Sequence, residues 1–274
     1  MLRGDEYKMD VSIVDTHAHL DMRQFNQDRA EVIARAQDAG VGTIITVGVN
    51  LESSQTAISL AEKYPGVLAA VGFHPHEATT VQKADIEQIG EMAKNRRVVA
   101  IGETGLDFYR NYSPRSSQLQ VLEWQLELAV KLNLPIIIHC RQAEKEMLGL
   151  LREWTKWYKD PHGQRRGVIH CFSGDTSAAK EYLDMGFYLA LGAYIGYPNT
   201  GNAHNVIRSI PQDRLLVETD CPYLPPQIYR GKRNEPAYLP QTVELLARIR
   251  DVSFETIARE TTRNAYNLFR WGIV

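Results

Sequence analysis

Among the eight histidines of the chain, His17 and His19 stand two positions apart in VDTHAHLD, directly after the short apolar run Ser12, Ile13, Val14. In an extended strand, residues i and i+2 share a face, so both imidazoles would project to the same side. A histidine pair is half of a metal site when further donors reach the same place. Further donors do end other apolar runs: Glu103 in AIGETGLD, His139 in IIIHCR, His170 in VIHCFSG and Asp220 in VETDCPYL. Imidazole and carboxylate suit divalent ions such as zinc, manganese or magnesium. Four histidines and two carboxylates exceed what one catalytic ion with an open position needs, so two ions are expected. A carboxylate can bridge because it carries two oxygens. Glu103 is assigned that role, with His17 and His19 on one ion, and His139 and His170 on the other. Asp220 binds the ion nearest the attacking water and accepts its proton. Such a pair, roughly 3.5–4 Å apart, stabilises the attacking and leaving oxygens of a hydrolysis and lowers the pKa of bound water.

Those donors converge only if the elements carrying them share one mouth. Short Val/Ile-rich runs alternate with amphipathic stretches, the pattern of a parallel sheet with crossover helices. Strands are expected at 12–16, 42–47, 67–73, 98–103, 135–139, 167–170, 188–192 and 215–219, with helices such as 31–38, 54–63, 118–131 and 178–184. Eight units in order imply an α/β fold of the closed (β/α)8 TIM-barrel type, whose C-terminal strand ends carry the chemistry. Region 240–270 supplies the eighth outer helix and a C-terminal extension. No linker, repeat or low-complexity tract divides the chain, so residues 1–274 read as a single domain. An open doubly wound sheet is disfavoured by the lack of a G-x-G-x-x-G turn.

With 31 basic and 33 acidic residues among 274, net charge provides no broad polycationic face, so an anionic substrate must be gripped locally. The opening MLRGDEYKMD has no apolar signal core and no run is long and apolar enough to span a bilayer, which predicts a cytoplasmic protein without membrane contact; a monomer or weak homo-oligomer is also expected. Three cysteines argue against a disulfide framework. Cys140 and Cys171 each follow a proposed ligand, and strand alternation turns both toward the outer helices.

The motifs DTHAHLD, GFHPH, GETGLDFYR, PIIIHCR, HCFSG, ETDCPYL and GKRNEPAYL together resemble the TatD family of metal-dependent deoxyribonucleases, a branch of the amidohydrolase-like barrels, over nearly the whole chain. The resemblance implies a two-metal nuclease barrel with His17, His19, Glu103, His139, His170 and Asp220 as ligands. It also implies that His74, in GFHP, contacts phosphate or acts in catalysis near the mouth of strand three. Cys221 stands where members usually carry Ser, LALGAYIGYPN departs from the usual form, and WTKWYKDPHGQRRG is a lengthened loop.

Phosphodiester cleavage needs positive groups that orient phosphate. Arg110, Arg115, Arg141, Arg230, Lys232 and Arg233 follow strands four, five and eight, and Arg141, Arg230 and Arg233 are taken with His74 as the substrate-binding set. Phe108, Tyr109, Tyr223 and Tyr229 on the same loops are placed to stack on bases. The expected activity is a 3′–5′ exonuclease acting on single-stranded or frayed DNA. The alternatives are a small-molecule amidohydrolase or phosphoesterase of the same superfamily, many of which bridge with a carboxylated lysine, and a D-aminoacyl-tRNA deacylase.

Overall fold

The computed structural model describes residues 12–157, 166–198 and 203–271. The opening decapeptide, most of the lengthened loop and Asn199 therefore lie outside the described residues. Eight strands run in order: β1 (Ile13–Ala18), β2 (Val41–Val47), β3 (Val67–Val71), β4 (Val98–Asp107), β5 (Ile136–Arg141), β6 (Gly167–Ile169), β7 (Tyr188–Leu191) and β8 (Leu215–Val217). Each pairs in parallel with the next. Between them run α1 (Arg29–Asp38), α2 (Leu51–Lys63), α3 (Lys83–Met92), α4 (Arg115–Leu132), α5 (Glu144–Trp157), α6 (Thr176–Asp184) and α7 (Ala203–Ser209), followed by α8 (Leu239–Arg250) and α9 (Phe254–Phe269). Every strand expected from the sequence is present, and the architecture is a TIM barrel. Polar caps start several helices: the Asn50 side chain accepts from Ser53 N–H ahead of α2, and Asp175 from Ala178 N–H ahead of α6.

Alternation along the strands sorts the apolar residues into two layers. Val14, Ile45, Val47, Leu68, Ile137 and Leu216 fill the barrel interior, and α9 closes its floor with Ala265, Leu268 and Phe269. Their neighbours, such as Ile13, Ile44, Ile136 and Ile138, pack outward against the helices. Truncating a buried Ile of this kind to Ala costs about 2–5 kcal/mol.

Two strands break the alternation where the donors lie. Counting in twos from interior Val14 would put His17 outside, but the β1–β2 register shifts between Asp15 and Ala18. In β4, Ile101 packs outward, so regular spacing would send Glu103 out as well; the β4–β5 register shifts between Ile101 and Thr104. Thr104 instead takes the outward place, its hydroxyl accepting from Gln125 of α4 at 2.6 Å. Such bulges re-aim side chains. Gly105, at φ +146°, lets β5 approach: an added Cβ would stand 1.9 Å from the His139 carbonyl oxygen. The barrel closes between its first and last strands by an Ala18–Cys221 bridge, with Asp220 N–H donating to His17 O at 2.9 Å and His19 N–H to Cys221 O at 2.8 Å.

Candidate metal centre

The bulges of β1 and β4, the regular ends of β5 and β6, and the turn after β8 deliver six side chains to one buried cluster. Glu103 lies at its middle. Its Oε2 is 3.3 Å from His17 Nε2 and 3.6 Å from His19 Nε2; its Oε1 is 3.0 Å from His139 Nδ1 and 3.0 Å from His170 Nε2. Asp220, at φ +54°, a left-handed turn that aspartate tolerates, places Oδ1 3.9 Å from His17 Nε2 and 3.4 Å from His19 Nε2. The two Nε2 atoms of His17 and His19 are 3.2 Å apart, and His139 Nδ1 is 3.3 Å from His170 Nε2.

Outer partners determine which imidazole nitrogen is left with a lone pair toward the cluster. His19 Nδ1–H donates to Val47 O at 3.0 Å, and His139 Nε2–H donates to Asp107 Oδ2 at 3.3 Å. His170 Nδ1 faces Glu218 Oε1 at 3.5 Å, the edge of hydrogen-bond reach. In each case the opposite nitrogen is directed at Glu103, the arrangement that metal-ligating histidines use. His74 is built the other way round. Its Nδ1 accepts from the His76 backbone N–H at 3.1 Å, so its proton sits on Nε2, 3.4 Å from Glu103 Oε1. His74 therefore offers the cavity a donor rather than a lone pair.

The protonation pattern follows from burial and charge together. Burial opposes charge on Glu103, but His170, His74, His17 and His139 outweigh it and hold the carboxyl well below its usual range. Burial likewise opposes the charged forms of His19 and His170. The Asp220 hydrogen bond and Glu103 nevertheless hold His19 at about 9, and Glu103 with Glu218 holds His170 well above its ordinary value. Burial prevails at His17, which is pushed down, and at His74, pushed down to about 4. The cluster thus retains protons only where carboxylates demand positive charge.

Those donors fit a divalent ion. A tetrahedral ion with bonds of about 2.0–2.1 Å separates its ligand atoms by about 3.4 Å. The His17 and His19 Nε2 atoms are 3.2 Å apart and stand 3.3 to 3.9 Å from the Glu103 and Asp220 oxygens. Aiming two imidazole nitrogens at one another satisfies at most one of them by a proton; a cation between them satisfies both. His17, His19 and Glu103 form one possible metal group, His17, His170 and Asp220 another, and Glu103 lies with His74 and His139 in a third.

The expected arginines differ in what engages them. Arg141, exposed at the end of β5, stacks its guanidinium 4.1 Å from the Tyr109 ring centre, and Arg230 lies 4.4 Å over Tyr197 on the opposite rim. Arg233 is committed elsewhere: it forks onto Asp28 at 2.8 and 2.7 Å, donates to Gln24 O and covers Phe25. The cysteines also part company. Cys140 faces outward, 3.7 Å from the Tyr182 hydroxyl. Cys171 does not: β6 has ended, the backbone turns left-handed at φ +48°, and the thiol sits in the field of Asp220, Glu218 and Glu103. Sequence reasoning passed over Asp107, Glu218 and His76. Glu218 was reachable by counting two back from Asp220, and Asp107 by counting four on from Glu103, but nothing in either stretch marks a carboxylate as an orienting group.

Residues 14–270 match the family described as TatD related DNase. The chain is 40% identical over 258 residues to the uncharacterized metal-dependent hydrolase YabD of Bacillus subtilis, covering 94% of this chain and 99% of that protein. It is 37% identical over 260 residues to the 3′-5′ ssDNA/RNA exonuclease TatD of Klebsiella pneumoniae, covering 93% and 97%. The crystal structure of YJJV, a TatD homologue from Escherichia coli K12, superposes with a TM-score of 0.87 at 32% identity over 94% of this chain and 98% of that one. With a matching barrel and a donor cluster fit for divalent ions, the chain belongs to the TatD family and is a metal-dependent hydrolase.

Proposed function

We propose that the chain is a two-metal 3′–5′ exonuclease that trims single-stranded or frayed DNA ends, with RNA as a second substrate. The observation that carries this reading is Glu103, whose two oxygens face different imidazole pairs, His17 with His19 and His139 with His170. The TatD relative of Klebsiella pneumoniae, named for single-stranded DNA and RNA exonuclease activity, supports the substrate and the polarity. Bound there, two divalent ions supply an acidified water and neutralise charge on the phosphate. Asp220, at the exposed edge of the cluster, takes the proton of the attacking water. The His74 Nε2–H donates to a non-bridging phosphate oxygen, and because burial keeps the ring neutral down to about pH 4 it does so without adding charge. Arg141 and Arg230 hold flanking phosphates from opposite rims; Arg233, spent on Asp28, takes no part. With so few phosphate contacts the salt dependence is shallow, about 0.7 in log affinity per contact for each tenfold rise in salt on a single strand.

The test is metal-stripped protein reloaded separately with zinc, manganese and magnesium, then assayed on single- and double-stranded DNA, RNA and a generic phosphodiester. Stepwise shortening from the 3′ end of a single strand supports the reading. Turnover of the generic ester with every nucleic acid untouched would overturn it in favour of a small-molecule phosphoesterase. Glu103→Gln should lower the content of both ions together; retention of two ions at normal affinity would remove the bridge.

A further inference from the structure

The loop after β4 is rigid at its base and bare at its tip. The Asp107 carboxylate accepts from the Tyr109 and Arg110 backbone N–H groups at 3.0 and 2.8 Å. Gln118 of α4 donates to Asp107 O and to Ser113 O, and the Ser113 hydroxyl donates to His76 O at 2.8 Å. Asn111, at φ +52°, turns the chain between these anchors. Two tyrosines nevertheless stay in solvent, Tyr109 at 53% and Tyr112 at 65% exposure. Folding has not used these rings to fill a core. The Tyr112 ring stands edge-on to His76 with centroids 4.7 Å apart. His76 Nε2–H donates at 2.9 Å to the same Asp107 oxygen that lies 3.3 Å from His139 Nε2. Beside them, the Arg141 guanidinium carbon lies 4.1 Å from the Tyr109 ring centre, a cation–π contact that uses none of its N–H donors and leaves them for an anion.

We propose that Tyr112, braced edge-on by His76, forms a base-stacking platform, with Arg141 on Tyr109 as the adjoining phosphate grip, for the nucleotide next to the scissile phosphate. The proposal rests on the nuclease reading and extends it by assigning one rim of the barrel to the strand. An aromatic face accepts any base, because every base has a π-face, and a cation beside it tracks the backbone. The occupant is therefore a single-stranded nucleic acid without sequence preference; a paired base would have its face covered by its neighbours. The ledge is already held by Asp107, Gln118 and Ser113, so binding orders little that was loose. The opposite rim has Arg230 over Tyr197 but no free Arg233, which makes the β4 side the stronger hold.

The experiment is fluorescence anisotropy of the metal-loaded, full chain with a phosphorothioate single-stranded oligonucleotide, in two forms that differ only in whether the 3′-terminal nucleotides carry bases. Wild type should bind the base-bearing strand roughly tenfold more tightly, the scale of one aromatic–base stack. Tyr112→Ala should lose that factor and with it the distinction between the two strands, Tyr112→Trp should keep both, and Tyr266→Ala, an exposed tyrosine on α9, should leave both unchanged. Wild-type affinity and undiminished base discrimination in Tyr112→Ala would overturn the platform while leaving the nuclease intact. Failure of wild type to bind either strand would bring down the nuclease reading and the platform together.

Discussion

Replacing Asp107 by Asn puts the tautomer argument to a sharp test. Asp107 uses Oδ1 for two backbone N–H donors, of Tyr109 and Arg110, and Oδ2 for two imidazole N–H donors, of His76 and His139. An amide has only one oxygen, and among the described residues the two backbone donors have no second acceptor. The oxygen of the substituted amide therefore stays with them and its NH2 turns to the histidines. There it donates to His139 Nε2, so the ring proton shifts to Nδ1, the atom 3.0 Å from Glu103 Oε1. A protonated Nδ1 is no ligand. Loss of an orienting outer partner weakens a metal by roughly 10- to 100-fold, about 1.4–2.7 kcal/mol, and the reversed proton adds to that. Asp107→Ala removes the acceptor without imposing a donor, so it should weaken the ion less than Asp107→Asn despite being the larger truncation. Equilibrium dialysis against a graded chelator, with metal analysis, gives both affinities, and the 15N shifts of the His139 ring report the tautomer. An Asn variant that binds metal within twofold of wild type, or an Ala variant weaker than the Asn one, would refute the reasoning.

Asp220→Asn should depress kcat by roughly 10²–10⁴-fold, the range for loss of a general base, with substrate KM within a few-fold of wild type; equal losses in both would make Asp220 a structural group. In chelator, thermal stability should fall as pH rises from 6.5 to 9. The proton held on His19 up to about 9, above its ordinary 6.5, stabilises the fold below 6.5 and is lost on passing through 9, while Asp15, raised by burial to about 7, has already lost its contribution by then. Saturating zinc should offset that fall, since ligand deprotonation favours the metal; a flat or rising melting temperature in chelator would contradict the assignment. Arg233→Ala should lower stability by about 1 kcal/mol or less, because it breaks a partly exposed pair with Asp28, and should leave oligonucleotide KM unchanged; a raised KM with unchanged stability would return Arg233 to the substrate.

The barrel and its donors were legible because period-2 runs and strand-end polar residues are local signals that the fold reads in order. Ile137 and His139 of β5, and Val168 and His170 on from β6, follow the alternation rule directly. His17 and Glu103 reach the cavity by a different route from the one the rule supplies, since both depend on register shifts that arise from pairing with a neighbouring strand. Cys171 escapes the rule for a related reason: its strand ends two residues earlier, at Ile169. Arg233 was beyond reach because its partner, Asp28, is 205 residues away, and a single sequence gives no sign of which carboxylate a surface arginine will meet. The orienting carboxylates Asp107 and Glu218 were hidden in plain motifs, their role visible only once the imidazole nitrogens had positions.

The seam that closes the barrel has a consequence in time. Asp15 and Thr219, 204 residues apart, are joined side chain to side chain at 2.6 Å, and the Asp220 N–H meets His17 O just above them. A ribosome adding about 5–20 residues per second exposes the early histidines roughly 10–40 s before their last partner is made. Throughout that interval the growing polypeptide has no complete set of donors and no closed wall. The hydrolase is thus kept inert until its last donor is made, and any product of premature termination before residue 220 is born without its chemistry.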